Sequence, residues 1–272
     1  VEVNSELKNP DDQIFDVEQA TAAREQFARD QTGPLANLPC SYTFVPLTKT
    51  IKQDALEKIY SQAHELTEFS PEKKALLEER LRNPDKIGQI EYFFKLGAGG
   101  FGGGDKRHGI LAQILQHPFG TGSIHVKPTP AERDDPVIDL GYYHGPGGKV
   151  DLELMLESTR FAHSILLAPP FTDVVRQPVH PPAGSYADDE QMKEYIVNGT
   201  VTALHAVGTC AMGGYEGIRG GVVDERLNVY GVKGLRVVDA SIMPLQISAH
   251  IQATVYAIAE KAAHMILEDV EK

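Results

Sequence analysis

What the chain has little of narrows the reading first. Only two cysteines, Cys40 and Cys210, occur in 272 residues, which excludes a disulfide framework and a four-thiolate metal site. The ten histidines include no pair at His-Glu-x-x-His or a similar ligand spacing, so no metal is expected. Basic residues are scarce, 26 Lys and Arg against 38 Asp and Glu for a net charge of -12. Such a chain lacks the basic face that a nucleic acid or an anionic membrane would need, and neither is expected as a partner. No apolar run approaches the roughly 20 residues that span a bilayer. There is no opening Met and no secretory segment after Val1, which reads as a mature product, an expressed segment or part of a longer chain.

What is present suits a folded protein. With 42% apolar residues over 272 positions, the chain can bury a core in one large domain or two ordinary ones. Asn198-Gly199-Thr200 is an N-glycosylation acceptor triplet, and the expectation drawn from it is a secreted, extracellular protein.

The stretch "LGAGGFGGG", residues 96–104, sets Gly97, Gly99 and Gly102 at the spacing G-x-G-x-x-G. That spacing marks a dinucleotide-binding turn when a strand precedes it, a helix begins at once, and an acid about 20 residues on reaches the ribose. Only the strand, "IEYFFKL", is convincing. Gly103, Gly104 and Asp105 occupy the place where a helix must nucleate, and no Asp or Glu lies between Lys106 and Ala131. A phosphate-cradling loop fails as well, because Asp105 stands where a lysine is required. The run reads as a glycine loop between a strand and "HGILAQILQH".

Along the rest of the chain, "PDDQIFDVEQATAAREQFARDQTG" reads as loop followed by an amphipathic helix that stops near Gly33, with Pro34 and Pro39 forbidding its continuation. "TKTIKQDALEKIYSQAHEL" and "SPEKKALLEERLRN" read as two more helices, the second with Ser70 as N-cap and Pro71 at its first position. Short β-branched and aromatic runs from Gly88 to about Asp139 predict sheet. "GGKVDLELMLESTRFAHSILLAPP" predicts a helix with Leu152, Met155, Leu156, Ala162 and Leu166 on one stripe and Pro169 ending it.

The last seventy residues differ in kind. "HAVGTCAMGG" surrounds His205 with small residues, as if to let backbone approach a flat ligand. "GLRVVDASIMP" predicts a buried strand, Leu235 to Val238, ending in Asp239 and two small residues, where open α/β folds place their ligands. "SAHIQATVYAIAEKAAHMILED" predicts a long helix with the stripe Ile251, Val255, Ile258, Ala262 and Ile266; Ser248 would be its N-cap and His250 would fall in its first turn. Cys210 reads as a small buried hydrophobe. No role is assigned to His108, His117, His125, His144, His163, His180 or His264.

These three segments, in this order, resemble the C-terminal half of the glucose-methanol-choline (GMC) family of flavin oxidoreductases, especially its fungal alcohol oxidases and dehydrogenases. "GTGSIHVKPTPAERDDPVIDLGYY" and the helix after it are similar to the family's segment leading into them. The resemblance runs from about Gly120 to Asp269, and more loosely before that. It implies an α+β fold: an antiparallel-sheet substrate domain with helices over 1–199, then a catalytic segment, 200–272, whose strands and helix return to an FAD-binding α/β domain. Family members run to about twice this length, and their dinucleotide fingerprint lies in the N-terminal half, which this chain does not contain. The implied cofactor is FAD, the substrate a small alcohol, and the partner the N-terminal half, whether a second fragment or the rest of the chain. His205 matches the principal catalytic His and His250 the second His, or Asn, facing it across the substrate. Asp239 and Ala240 match positions beside the ribityl and pyrophosphate part of FAD, and Ile251, Gln252 and Ala253 those near the pyrimidine end of the flavin ring. A flavin-free binding remnant, or a cyanohydrin lyase that holds flavin without passing it hydride, stays open at this point.

Overall fold

A computed structural model describes residues 1–4, 16–36, 40–83, 85–97, 108–129, 135–182 and 184–271. The chain forms two compact units, Val1–Leu115 with Leu152–Gly199, and Gln116–Asp151 with Thr200–Lys272. The chain passes between them after Leu115, Asp151 and Gly199, so 116–151 groups with the C-terminal residues.

The first unit is built from regular elements. Helix Val17–Asp30 starts where the Asp16 carboxylate accepts the N–H groups of Glu18 and Gln19 at 3.1 and 3.2 Å, and ends at Gln31 in the left-handed conformation, so both ends satisfy otherwise unpaired backbone groups. Helix Gln53–His64 buries Leu56, Ile59 and Ala63, one face at helical spacing. Helix Pro71–Arg82 begins as expected, with Ser70 Oγ accepting from the Lys73 N–H.

Three antiparallel strands make the sheet, Gly88–Leu96 lying between Cys40–Pro46 and Gly109–Leu115. The first of these carries no expected element, although "YTFV" has the residue types of a strand. Gly97, at φ +90, donates its N–H to the His108 carbonyl, and Leu96 pairs with Gly109. The glycine run therefore joins two neighbouring antiparallel strands, with strand and not helix after it; 98–104 itself lies outside the described residues. Helix Gly145–Leu166 buries Met155, Leu156, Ala162 and Leu166 as the stripe predicts, and Leu154 besides, while Leu152 is half-buried. Within this unit Tyr92 and Gln113 of the sheet reach Ser158 and Thr159 of the helix through hydrogen bonds. These satisfy polar groups that would otherwise be buried unpaired.

The second unit has far less regular structure. It holds the two-stranded hairpin Ser123–His125 with Val137–Asp139, the first turns of Gly145–Leu166, and the C-terminal helix Gln252–Val270. Its core gathers Val223, Leu227, Ile242 and Ala262. The buried strand expected over Leu235–Val238 is not formed. Only an isolated bridge joins Arg236 to Asn228, Leu235 is exposed, and the backbone pairs with 227–229 on one side alone. A buried strand needs hydrogen-bonding neighbours, and among the described residues one short loop supplies them. The C-terminal helix is correspondingly half-covered: Ala262 is buried, whereas Ile266 of the expected stripe is exposed.

Candidate functional site

Every residue singled out from the C-terminal motifs lies in the second unit. The ring centroids of His205 and His250 are 5.3 Å apart, with the planes inclined by 50°. His205 is half-buried and His250 exposed. The residue before His205, Leu204, has φ +61 and is 83% exposed. A bulky side chain in the left-handed region is a local strain of the sort that gathers at functional sites.

The two arms carrying these rings are held in different ways. After His205 the chain runs beside the turn Ala240–Ile242, with Cys210 N–H donating to the Ser241 carbonyl at 3.0 Å and Met212 N–H to the Ile242 carbonyl at 2.9 Å. The first two motifs thus meet through their backbones. Their small residues serve that apposition: a Cβ on Gly213 would stand 2.1 Å from the Gly217 carbonyl oxygen, and one on Gly221 2.3 Å from that of Ala211. At those glycines the close neighbour is chain, not the flat ligand the sequence suggests. Cys210 is half-buried, not fully so.

Asp239 caps the short turn Ala240–Ile242, accepting from Ser241 N–H at 2.8 Å and Ser241 Oγ at 2.5 Å, and its side chain is exposed. The C-terminal helix starts at Gln252, later than expected, so His250 precedes it instead of occupying its first turn. Ile251 stands at the N-cap, offers no side-chain acceptor and is buried, while Gln252 and Ala253 are exposed. The first-turn N–H groups are left without a side-chain cap, an arrangement that favours a negative group beside them.

Ser248 is not that cap, because its hydroxyl is engaged elsewhere: Oγ lies 2.8 Å from Nε2 of His117. Close by in sequence, the Phe119 and Gly120 N–H groups donate to the two carboxylate oxygens of Asp151 at 2.8 and 2.7 Å. Burial pushes the Asp151 carboxyl up to about 7 against the opposing pull of these two bonds. Sequence reasoning missed both links. A lone His before a proline carries no periodic signal, but Asp151 had one, since it continues the buried stripe of its helix toward the N-terminus.

Residues 118–259, more than half of the chain, match the GMC oxidoreductase family. A dehydrogenase of Monascus purpureus is 42% identical over 154 residues, covering 56% of this chain and 23% of that protein. A fungal aryl-alcohol oxidase superposes with a TM-score of 0.73 at 25% identity, over all of this chain and 47% of its own. A formate oxidase of Aspergillus oryzae, studied for modification of its FAD, gives a TM-score of 0.78 at 24% identity, over 99% of this chain and 45% of its own, and shows the shared fold. The chain thus spans less than half the length of these relatives. GMC oxidoreductases are FAD-dependent and act on small molecules, and no described helix is long and apolar enough to cross a membrane. With a family match over residues 118–259, more than half of the chain, this chain belongs to the GMC oxidoreductases.

Proposed function

We propose that this chain supplies the substrate cavity and the histidine pair of an FAD-dependent enzyme that oxidises the CH–OH group of an alcohol, acting with an N-terminal FAD-binding portion. The observation that carries the reading is the approach of His205 and His250 to 5.3 Å from two segments remote in sequence.

An alcohol hydroxyl is far too weakly acidic to lose its proton unaided, and a neutral imidazole is the side chain best matched near pH 7 to accept it. In this reading a ring nitrogen of His205 takes the hydroxyl proton. The His250 ring holds the oxygen as it gains negative charge and orients the carbon that gives up hydride. FAD, when bound, supplies the two-electron acceptor. The residues present fit it: the uncapped start of helix Gln252–Val270, with Gln252 and Ala253 exposed, offers N–H donors to an anionic ring edge, and Ile251 anchors that start in the core. Asp239 and Ala240, at the turn joined to the His205 arm, are the residues proposed for the ribityl and pyrophosphate part.

An N-terminal partner is supported by the apolar surface this unit leaves open, with Ile138, Leu140, Leu204, Tyr256, Leu267 and Val270 all more than half exposed. Exposed apolar side chains in such number are what a covering portion would bury. An extracellular location belongs to the same proposal, and Asn198 of the acceptor triplet is exposed.

Flavin absorbance that develops only when an N-terminal GMC portion accompanies this chain supports the reading. Oxygen or dye reduction with a panel of aryl and sugar alcohols, lost in His205→Ala, completes the test. Unchanged turnover in that variant refutes the assignment of His205, and flavin held without any bleaching by alcohols points to lyase chemistry.

A further inference from the structure

Residues 243–250 deliver His250 without belonging to a strand or helix. Irregular backbone of this kind has no ladder of hydrogen bonds to define where a side chain sits, so its order depends on individual anchors. One lies on the far side of His250, where Ile251 is buried at the head of the C-terminal helix. On the near side, Ser248 Oγ meets His117 Nε2 at 2.8 Å, two residues before His250.

His117 is well suited to hold something else in place. Its side chain is 3% exposed, and a group so enclosed has few rotamers left to sample. Pro118 follows it and fixes its own φ. The next two N–H groups, those of Phe119 and Gly120, are both taken by the buried Asp151 carboxylate. A Cβ on Gly120 would stand 2.9 Å from Asp151 Oδ2, so any larger residue there would press on the carboxylate. A rigid chain of contacts therefore runs from Asp151 through the backbone of 117–120 to the His117 ring, and from that ring to Ser248.

We propose that His117 is a positioning residue for His250, its hydrogen bond to Ser248 fixing the turn that brings the His250 ring up to His205. It need not touch substrate, and it acts through Ser248. The significance for catalysis rests on the reading of the histidine pair given above, but the placement itself does not.

The test is a ring-to-ring nuclear Overhauser effect between His205 and His250 in the full chain labelled with carbon-13 histidine. Rings at 5.3 Å should give a cross-peak. Ser248 is exposed, so Ser248→Ala removes the hydroxyl at little packing cost. It should cut the cross-peak roughly twofold or more, whereas Ser248→Thr, which keeps a hydroxyl, should restore it. His117→Gln should retain it, since an amide nitrogen can replace Nε2, and His117→Ala should lose it. A cross-peak of wild-type intensity in both Ser248→Ala and His117→Ala overturns the proposal, as does its absence from the wild type. The two readings fail separately. An intact cross-peak that responds to Ser248→Ala, beside unchanged turnover in His205→Ala, sinks the catalytic reading and leaves the positioning in place.

Discussion

In the first unit, side chains are placed by elements that repeat. Helix faces at helical spacing and a three-stranded antiparallel sheet bury Leu56, Ile59, Leu81, Ile90 and Leu154 almost completely. In the second, most of the chain between Thr200 and Ile251 has neither strand nor helix beyond short turns. Order comes instead from isolated backbone bonds, such as Cys210 N–H on the Ser241 carbonyl and Met212 N–H on that of Ile242, and from single side chains gripping backbone: Asp151 on Phe119 and Gly120, Asp224 on Arg226 and Asn228, Asp239 on Ser241. The contrast shows two ways of holding a polypeptide. Repetition tolerates the loss of one member because its neighbours share the burial, whereas a solitary grip fails as a unit. The histidine pair sits in the region held by solitary grips.

The sharpest test of that division is functional. In the FAD-loaded protein, His205→Ala should lower alcohol turnover by about 100-fold to 10,000-fold, the usual span for losing a general base, with the steady-state rate as the measurement. A fall of less than tenfold would remove the reason for setting the second unit apart. Next comes core burial. Leu154→Ala in the first unit should cost about 2–5 kcal/mol, read from the urea midpoint, whereas Tyr256→Ala, 68% exposed in the second, should stay within about 0.5 kcal/mol. Equal costs would erase the difference in packing.

A third test uses pH. Asp151 has its carboxyl raised from 3.8 to about 7 by burial, so between those values the folded state holds a proton that the unfolded state has released. The contribution of Asp151 to stability should therefore be greatest below about 4, fall as pH rises toward 7, and level off above it. Asp151→Asn has no proton to lose and should flatten this part of the profile, measured by urea unfolding from pH 4 to 8. The smallest effect concerns Leu204 at φ +61. Leu204→Gly relieves the left-handed strain but frees the unfolded chain, for a net gain of at most about 1 kcal/mol, visible as a small rise in the thermal midpoint.

How much could be read beforehand follows the same division. The helix start at Ser70, the stripe of Gly145–Leu166 and the strand before the glycine run were legible because capping chemistry and periodicity are local. The strand Cys40–Pro46 carries strand-forming residues, but its pairing partner, Gly88–Leu96, lies more than forty positions on. In the second unit the motifs marked which residues matter without showing how they are held. The expected cap at Ser248 and the strand at Leu235–Val238 both failed there, since each depends on a partner distant in sequence. Ser248 is claimed by His117, 131 positions away. Among the described residues, Leu235 has backbone company on one side only.

The last turn of the C-terminal helix gathers Glu268 and Asp269 at the end where the helix dipole disfavours negative charge. Arg226 answers both acids and the Met265 carbonyl, and Arg236 also reaches Asp269. What looks like a trailing tail is therefore a clasp on the loop 224–238, and that loop leads back, through the Val222 N–H on the Ala211 carbonyl, to the arm of His205. Neutralising Glu268 and Asp269 would take the ionic bonds from both guanidinium groups and leave them with backbone carbonyls, Arg226 on Met265 and Arg236 on Arg226.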